Sequence, residues 1–393
     1  MSNNNKTPAI RFKGFTDTWE QRKLGEVADI VGGGTPSTSN DDYWDGDIDW
    51  YAPAEIADQI YVASSERKIT QQGYDNSSAK MLPVGTVLFT SRAGIGKTAI
   101  LRKEGCTNQG FQSIVPHINE LDSYFIFSRS EEMKRYGETV GAGSTFVEVS
   151  GKQMANMELM MPITMEEQVT IGSFFSNLDF LITLHQRKCD KLIQFKAAML
   201  KKMFTQNGAD KPEIRFKGFT DAWEQRKVQD VADRFDNLRI PVAANLRVHG
   251  TTPYYGANGI QDYVEGFTHD GEFVLVAEDG ANDLKNYPVK CVNGRIWVNN
   301  HAHVLQGKAG IADNSFLAFA ISQSDIESLL VGGGRAKLNA EALMSIEFRL
   351  PCLQEQYRIG EYLTQLDNLI TLHQRKCDKY KSIKAGLIRK LFP

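Results

Sequence analysis

The chain has 393 residues, 41% of them hydrophobic and 24% charged, a composition typical of a folded protein large enough for two or three domains. Its five cysteines are odd in number and show no Cys-x-x-Cys spacing, which argues against a disulfide framework or a zinc site and predicts a reducing, cytoplasmic setting. No signal peptide and no long apolar segment is recognisable, so we expect no membrane partner. The net charge of −3 does not by itself indicate a nucleic-acid-binding protein.

Two segments of the chain occur twice. They are IRFKGFTDTWEQRK at 10–23, which returns with one difference at 214–227, and LITLHQRKCDK at 181–191, which returns unchanged at 369–379. The sequence therefore predicts a tandem of two units, roughly 1–205 and 206–393. Each unit would run from an opening segment through a variable globular region to a long helix. Two near-identical frames would thus enclose two dissimilar globular regions.

Two long helices, at 163–205 and 353–393, are the clearest secondary-structure prediction. In each, apolar residues recur at alternating spacings of four and three, the heptad pattern of a coiled-coil seam. Related helices with matching seams are expected to pack on each other, antiparallel if a pseudo-two-fold axis relates the units. The recurring histidines are interpreted as register-fixing positions and not as catalytic residues. The predicted seam residues are Leu178, Ile182, His185, Leu192, Leu366, Ile370, His373 and Tyr380.

Basic side chains are concentrated on these two helices. The stretch 181–204 holds six Lys or Arg and one Asp, and 369–392 holds seven and one. The rest of the chain is therefore strongly acidic. The excess on the helices is explained either by a solvated face, since Lys and Arg are good helix formers, or by a charged docking surface.

The globular regions are predicted to mix strands and helices in the same order. β-rich runs stand at 81–91 and 110–116 in the first unit and at 271–280 and 294–307 in the second. The expected helices are 125–136 and 314–330. The predicted fold class is α+β, with two mixed α/β domains and two long helices forming an antiparallel coiled coil in a pseudo-two-fold tandem repeat.

The sequence contains no complete catalytic motif. The segment AGIGKT at 93–98 resembles the end of a phosphate-binding loop, but Ser91 stands where that motif needs Gly and a strand is expected to follow instead of a helix. His301 and His303 have no further ligand at metal-binding spacing and alternate as in a strand. A nucleophile elbow, a zinc-protease helix and the Pro-Pro signature of DNA amino-methyltransferases are absent from the sequence. The pattern favours binding and organisation over chemistry.

Several linked motifs resemble those of the specificity subunit of type I restriction–modification systems. In the first unit they are GGGTPSTSNDDYWDGDIDWYAPAEI at 32–56, LPVGTVLFTSRAGIGKTAI at 82–100 and TNQGFQSIVP at 107–116. In the second they are YYGANGIQDYV at 254–264, VLVAEDGAN at 274–282, WVNNHAHVL at 297–305 and AKLNAEAL at 336–343. Each unit closes on a proline-led helix start, MPITMEEQ or LPCLQEQ. The resemblance covers nearly the whole chain.

The resemblance implies a non-catalytic subunit that reads DNA. Regions 10–160 and 212–349 would be target-recognition domains, each reading one half of a bipartite asymmetric sequence. The helices 163–205 and 353–393, as central and distal spacers, would set the half-site spacing. Two methyltransferase subunits would dock on the duplicated frame and methylate adenine with S-adenosylmethionine. Two restriction subunits would join through them and use ATP and Mg²⁺. This chain itself would hold no cofactor and no metal.

Base readout needs polar or basic side chains on loops that can enter the major groove of double-stranded DNA. The candidates are Thr35, Ser37, Ser91, Arg92, Lys97, Asn108 and Gln109 in the first unit, and Asn258, Asn282, Lys285, Asn299, Asn300 and Arg335 in the second. Polar residues of this kind also form turns or contact phosphates, so each keeps that alternative.

Three other interpretations stay open. The acidic remainder predicts that the isolated chain binds DNA weakly and that partner subunits add positive surface, because phosphate contacts supply much of DNA affinity. A stand-alone DNA-binding or coiled-coil assembly scaffold without a restriction role is the alternative function. An enzyme, such as a nuclease or a fused restriction–methylation chain, is opposed by the missing catalytic motifs.

Overall fold

The structure, a computed structural model, describes residues 7–56, 59–92, 94–142, 148–206, 208–332 and 336–392. The chain divides into two compact units. Unit 1 comprises Met1–His185 and Lys376–Pro393, and unit 2 comprises Gln186–Arg375. These units differ from the repeats of the sequence, because each boundary falls inside a long helix. Within the described part of the chain, no helix combines the length and apolar character that a membrane span requires.

In chain order, the first repeat begins with a short strand and ends with the first long helix, whose residues after His185 belong to unit 2. Its elements are β1 (Glu20–Lys23), α1 (Leu24–Val27), β2 (Ala28–Gly32), β3 (Trp44–Tyr51), β4 (Tyr61–Val62), β5 (Arg67–Ile69), α2 (Gln71–Asp75), β6 (Val87–Phe89), β7 (Thr98–Leu101), β8 (Cys106–Thr107), β9 (Gln112–Pro116), α3 (Ser123–Phe127), α4 (Ser130–Gly141), α5 (Gly151–Ala155), β10 (Glu158–Met161) and α6 (Met165–Met203).

The second repeat follows the same scheme with longer strands, and its long helix belongs to unit 1 from Lys376 onward. Its elements are β11 (Glu224–Lys227), α7 (Val228–Val231), β12 (Ala232–Arg234), β13 (His249–Gly256), β14 (Gly259–Val264), β15 (His269–Ala277), β16 (Val289–Val298), β17 (Ala302–Gly307), α8 (Asn314–Ser322), α9 (Ala340–Ser345), β18 (Glu347–Leu350) and α10 (Leu353–Leu391). The architecture is α+β, as predicted.

The two globular regions share a sheet topology that their sequences do not display. The main sheet of unit 1 runs β2-β9-β6-β7-β4, and that of unit 2 runs β12-β17-β15-β16-β13-β14. Strands β2, β9, β6 and β7 therefore correspond to β12, β17, β15 and β16. In unit 1 a separate sheet, β5-β3-β8, takes the place that β13 and the far end of β16 occupy in unit 2. The parallel pairing of Tyr51 with Thr107 matches that of Tyr255 with Val298.

The frame closes each unit with the same contacts. Strand β1 pairs antiparallel with β10, and β11 pairs antiparallel with β18. The Arg11 guanidinium binds the Glu167 carboxylate at 2.6 and 2.7 Å, and Arg215 binds Glu355 at 2.7 and 2.8 Å. Both carboxylates are buried near the start of a long helix, where negative charge is favoured.

An aromatic residue at the end of a long helix completes each core. In unit 1 the Phe392 ring lies 6.3 Å from the ring of buried Trp19, and in unit 2 the Phe204 ring lies 6.1 Å from that of buried Trp223. Each helix end thus packs beside the opening segment of a repeat. This packing explains why the compact units divide inside the helices.

The long helices run antiparallel in unit 1. The Lys384 ammonium is 2.6 Å from the Asp179 carboxylate, and the Cys377 sulfur is 3.9 Å from the carbonyl oxygen of Ile182. From Asp179 to Ile182 the residue numbers on α6 rise, while those of their partners on α10 fall from 384 to 377. The two helices are therefore antiparallel in this unit.

The same pair of contacts occurs in unit 2. The Lys196 ammonium is 2.6 Å from the Asp367 carboxylate, and the Cys189 sulfur is 4.0 Å from the carbonyl oxygen of Ile370. Every residue of this set is the repeat counterpart of a residue in the unit 1 set. Each unit therefore pairs the two long helices through the same set of equivalent residues with the partners exchanged.

The predicted seam residues lie on the packed faces of the helices. His185 is buried and stacks on Tyr380, with ring centroids 5.7 Å apart. Leu178 and Leu366 are also buried. The remaining seam residues are half-buried, namely Ile182, Leu192, Ile370, His373 and Tyr380.

Two helix predictions need correction. The region 125–136 contains the end of α3 and the start of α4, separated at Ser128 and Arg129. The Ser128 hydroxyl donates to the carbonyl oxygen of Phe125 at 2.7 Å, and such local bonds compete with helix propagation. The region 314–330 is a nine-residue helix, α8, followed by a short 3-10 turn at Glu327–Leu329.

Candidate nucleic-acid interface

Three segments of unit 1 meet at the edge of the main sheet where β6 ends and β9 begins. Backbone hydrogen bonds join Gly34 N to Thr107 O at 2.8 Å and Ser91 N to Gly110 O at 2.8 Å. We call the described residues of 33–37, 91–97 and 107–110 edge 1. All seven candidate residues of the first unit fall on these three segments, so the fold brings them together.

Two tryptophans hold the first segment of edge 1 in place. The Trp50 indole N–H donates to the carbonyl oxygen of Gly34 at 2.8 Å, and that of Trp44 donates to Ser37 O at 3.1 Å. The Arg67 guanidinium lies 3.7 Å above the Trp44 ring, a cation–π contact. Both indoles are buried, so they position the loop and do not extend from it.

The basic turn of edge 1 is built around a threonine. The Thr90 hydroxyl donates to Gly94 O at 2.7 Å and accepts from Lys97 N at 3.0 Å. Gly94 and Gly96 have φ values of 104° and 93°, which favour glycine. Because strand β7 and not a helix follows at Thr98, no helix N-terminus is available for phosphate. The phosphate-binding-loop interpretation is therefore excluded for the described part of this segment.

The corresponding edge of unit 2 is closed by an asparagine clamp. Asn258 donates its amide to Gly280 O at 2.9 Å and accepts from Asn282 N at 2.9 Å. Glu278 N donates to His301 O at 2.9 Å, which joins the end of β15 to the start of β17. We call residues 256–261, 278–285 and 299–301 edge 2.

The two edges share their backbone design. In edge 1, Asn108 N donates to Tyr51 O at 3.0 Å and the Asn108 side chain accepts from Gly110 N at 2.7 Å. In edge 2, Asn299 N donates to Tyr255 O at 3.1 Å and its side chain accepts from His301 N at 2.9 Å. Each asparagine thus forms a tight turn with its own backbone.

Below edge 2 lies a network of paired charges. His303 approaches the Asp236 carboxylate at 2.7 Å through Nδ1 and Leu338 O at 2.9 Å through Nε2. Glu278 binds Arg239 at 2.6 Å and Lys337 at 3.0 Å. Burial raises the pKa of the Asp236 carboxyl, but the hydrogen bonds from His303 and from Val304 N, together with the charges of His303 and Arg239, outweigh burial and lower that pKa.

A metal interpretation of this network is not favoured by its contacts. Asp236, Glu278 and His303 bring potential ligand atoms within 4.8 Å of one another. Both nitrogens of His303 already face oxygen atoms, and the two carboxylates already face cations. A divalent ion would have to displace these partners, so we interpret the cluster as an ion-pair network that holds the base of edge 2.

Most of the residues predicted to contact DNA bases are accessible to solvent. Side chains of Ser37, Lys97, Gln109, Asn258, Asn282, Lys285 and Asn300 are exposed, and those of Thr35, Arg92 and Asn108 are half-buried. Thr35 donates its hydroxyl to Gln109, which links the first and third segments of edge 1. Arg335 lies outside the residues that the structure describes.

Three candidates have structural positions that disfavour base readout. Ser91 is fully buried and its hydroxyl oxygen finds no partner among the described residues, so a DNA groove cannot reach it in this conformation. Asn299 is also buried, and the side-chain oxygen of Asn108 already accepts a hydrogen bond from Gly110 N in the turn. We therefore assign the two asparagines to shaping the edges and remove Ser91 from the readers.

Sequence reasoning missed two pairs of residues at the edges. Trp44 and Trp50 lacked a signal, because a buried tryptophan in a strand is ordinary. Asp279 and His301 form a hydrogen bond in edge 2, although the sequence pattern presents His301 only as a metal-ligand candidate. Comparing TNQGFQ at 107–112 with VNNHAH at 298–303 would have indicated that His301 stands in the third turn position, where the first unit has Gly110.

The comparisons with known proteins agree with this architecture. The family model of the type I restriction modification DNA specificity domain matches twice, over residues 16–194 and 220–381. A type I restriction enzyme specificity subunit of Methanocaldococcus jannaschii is 32% identical over 313 residues, which cover 73% of this chain and 72% of the relative. A Haemophilus influenzae protein named as a type I restriction enzyme specificity subunit is 44% identical over 146 residues, which cover 37% of this chain but only 38% of that relative.

A solved structure shares the fold. The crystal structure of the type I restriction-modification system S subunit from M. genitalium superposes with a TM-score of 0.75, covering 98% of this chain and 99% of that one, at 13% sequence identity. The relatives are named specificity subunits, in line with the prediction that this chain is not itself an enzyme. The chain belongs to the type I restriction modification DNA specificity family, whose domain it contains twice.

Proposed function

We propose that the chain is the DNA-reading subunit of a type I restriction–modification complex, in which edge 1 reads one half of a bipartite target and edge 2 reads the other. The observation that carries this proposal is the pair of edges. They share backbone hydrogen bonds at equivalent places but present different side chains. Two rigid platforms with different surfaces are what an asymmetric, two-part target requires.

The duplicated frame supports two copies of one partner. Identical docking of two copies needs the same surface twice, and the frame repeats both its sequence and its ion pairs. We infer that this partner is an adenine methyltransferase subunit that uses S-adenosylmethionine. Restriction subunits that use ATP and Mg²⁺ would join through it, so catalysis would lie outside this chain.

The long helices supply the spacing between the half-sites. Each spans 39 residues, about 58 Å at ~1.5 Å per residue. That length exceeds one turn of duplex DNA, about 34–36 Å, so a gap of several base pairs is compatible with it. The acidic remainder of the chain further predicts that DNA affinity depends on positive surface from the partners.

Methylation mapping in cells tests the proposal. The chain is expressed with its methyltransferase subunit, and methylated adenines are mapped with and without the chain. The expected result is one bipartite motif that disappears without the chain. Replacing 24–160 with the corresponding region of another family member should change one half of that motif and leave the other.

The alternative, a coiled-coil scaffold without a DNA-reading role, predicts a different outcome. Under it, exchanging 24–160 would leave every methylated sequence unchanged. An unchanged motif in a complex that still assembles and methylates would therefore contradict the proposal.

A further inference from the structure

The register of the sheets pairs individual positions of the two edges. Thr90 lies opposite Phe111 in unit 1, and Ala277 lies opposite Ala302 in unit 2. One residue further along, Ser91 N donates to Gly110 O and Glu278 N donates to His301 O. Gly110 and His301 are therefore equivalent positions.

The same register makes Arg92 and Asp279 equivalent, since each is the second residue beyond the last paired one. The two positions thus carry Arg and Gly in edge 1 but Asp and His in edge 2. Both residues differ between the edges. Within each edge the two positions are neighbours, so the side chain at one position affects the room left for the side chain at the other.

In edge 1 the arginine occupies this space. A Cβ atom placed on Gly110 would lie 3.6 Å from Arg92 Nε and only 2.8 Å from Pro53 Cγ. Glycine at 110 therefore leaves room that a larger residue would close. Among the described residues no hydrogen bond or ion pair to the Arg92 guanidinium is found, and its side chain is half-buried. Its donors remain available to a ligand.

In edge 2 the histidine occupies the space. The Asp279 carboxylate binds His301 Nδ1, which directs the proton on the ring to that nitrogen. The side chain of His301 is 34% exposed and that of Asp279 is 22% exposed. No hydrogen bond to His301 Nε2 is found among the described residues, and the side chain is partly exposed.

The bond to Asp279 leaves Nε2 as the ring nitrogen of His301 without a described hydrogen bond. This nitrogen accepts a hydrogen bond in a neutral imidazole and donates one in an imidazolium. Edge 1 offers the donors of a guanidinium at the equivalent place. The guanidinium suits the O6 and N7 atoms of guanine or a phosphate oxygen, and the imidazole suits a polar group on a base edge or on the DNA backbone.

We propose that Arg92 and His301 are equivalent polar contacts to DNA, one in each half-site, and that Asp279 is the positioning residue that holds the histidine where edge 1 uses an arginine. This inference rests on the proposed function and adds a residue-level assignment to it. Asp279 itself does not contact DNA in this assignment, because its charge would repel phosphate.

The test uses the complex of the full chain with its methyltransferase subunits and duplexes that carry the mapped motif. Methylation rates are measured on the mapped motif and on duplexes with each base pair of a half-site changed. We expect His301→Ala to lose about tenfold or more in discrimination at one base pair of the second half-site if the contacted group is a base edge. If it is a phosphate, binding should weaken for all sequences alike and the salt dependence should fall by about one contact.

Matched variants separate this role from a structural one. Arg92→Ala should have the same kind of effect on the first half-site alone. Asp279→Asn, which keeps a hydrogen-bonding side chain but removes the charge, should weaken second half-site recognition less than His301→Ala. His301→Gln, which retains an amide donor, should recover part of the loss. His249→Ala removes an exposed histidine elsewhere in unit 2 and should change nothing.

The outcomes distinguish the two proposals. If the complex methylates a bipartite motif and both His301→Ala and His301→Gln keep wild-type discrimination and salt dependence, the inference is wrong while the proposed function stands. If no bipartite motif is methylated at all, both fail. Thermal unfolding of each variant identifies losses that arise from misfolding, in which case Asp279→Asn and His301→Gln decide the result.

Discussion

The frame and the edges show two different kinds of repetition within one chain. In the frame, both the backbone and the side chains repeat, so that Arg11 binds Glu167 as Arg215 binds Glu355. In the edges, the backbone hydrogen bonds repeat but most side chains do not. A surface that meets the same partner twice needs identical side chains, whereas a surface that meets different bases needs only the same support. Under the proposed function, this difference between frame and edges separates assembly from readout.

The largest expected effect comes from lengthening the frame without altering either edge. Inserting seven residues into α6 between 185 and 186, and seven into α10 between 375 and 376, preserves the heptad seam. At ~1.5 Å per residue the helices gain about 10 Å, or roughly three base pairs. We expect methylation to move entirely to a motif with the same half-sites and a longer gap, as measured by methylation mapping.

Inserting the seven residues into only one helix is the control. It offsets one seam against the other, so we expect loss of folding or of activity instead of a new motif. Retention of the original gap after the double insertion would show that the helices do not set the spacing.

Breaking the frame ion pairs should affect the stability of both units to a similar degree. Glu167→Ala and Glu355→Ala each leave an arginine without its carboxylate partner in a largely buried place, at a cost of about 3–5 kcal/mol. The Glu167 variant should lose slightly more, because Trp19 Nε1 also donates to that carboxylate at 3.3 Å. Denaturant unfolding monitored by tryptophan fluorescence measures both variants.

Replacing both members of an ion pair tests whether the unpaired arginine causes the loss of stability. Replacing both Arg215 and Glu355 by Met should be less destabilising than Glu355→Ala, since no charge is left unpaired. A double variant less stable than the single one would contradict this account of the frame.

The smallest expected effect concerns the support of a single edge. Trp50→Phe keeps the ring but removes the N–H that holds Gly34, which leaves a carbonyl unpaired at a cost of about 1–3 kcal/mol. We expect weaker recognition of the first half-site and unchanged recognition of the second. Trp297→Phe is a control in unit 2, where the indole donates to Ile240 O at 2.7 Å, outside edge 2. It should leave the first half-site unchanged, and equal losses in both half-sites from either variant would contradict independent edges.

Much of the domain organisation could be predicted because it appears in the sequence as repeated segments and as periodic apolar residues. The helices at 163–205 and 353–393 were predicted within two residues of α6 and α10. Repeated residues such as Asp179 and Asp367 reappear as repeated contacts with Lys384 and Lys196. Heptad spacing involves residues close together along the chain, so a single sequence suffices to detect it.

The edges were harder to predict, since their residues come from distant parts of the chain. Thr35 and Gln109 are 74 positions apart and meet only because β2 and β9 are neighbours in the sheet. Exposure was also undetermined, so Ser91 was expected at the surface although it is buried. Polar residue type predicts a loop, but the direction of each side chain depends on sheet register.

The sequence by itself determined that the chain is a duplicated frame with two heptad helices, and it carried motifs sufficient to identify the family. Those features depend on spacing along the chain, which folding does not alter. Only the tertiary structure decided that the two globular regions share one sheet topology, and that Arg92 and Gly110 correspond to Asp279 and His301. The physical reason is that strand order and register are set by pairing between distant segments, and unrelated side chains can satisfy the same backbone hydrogen bonds.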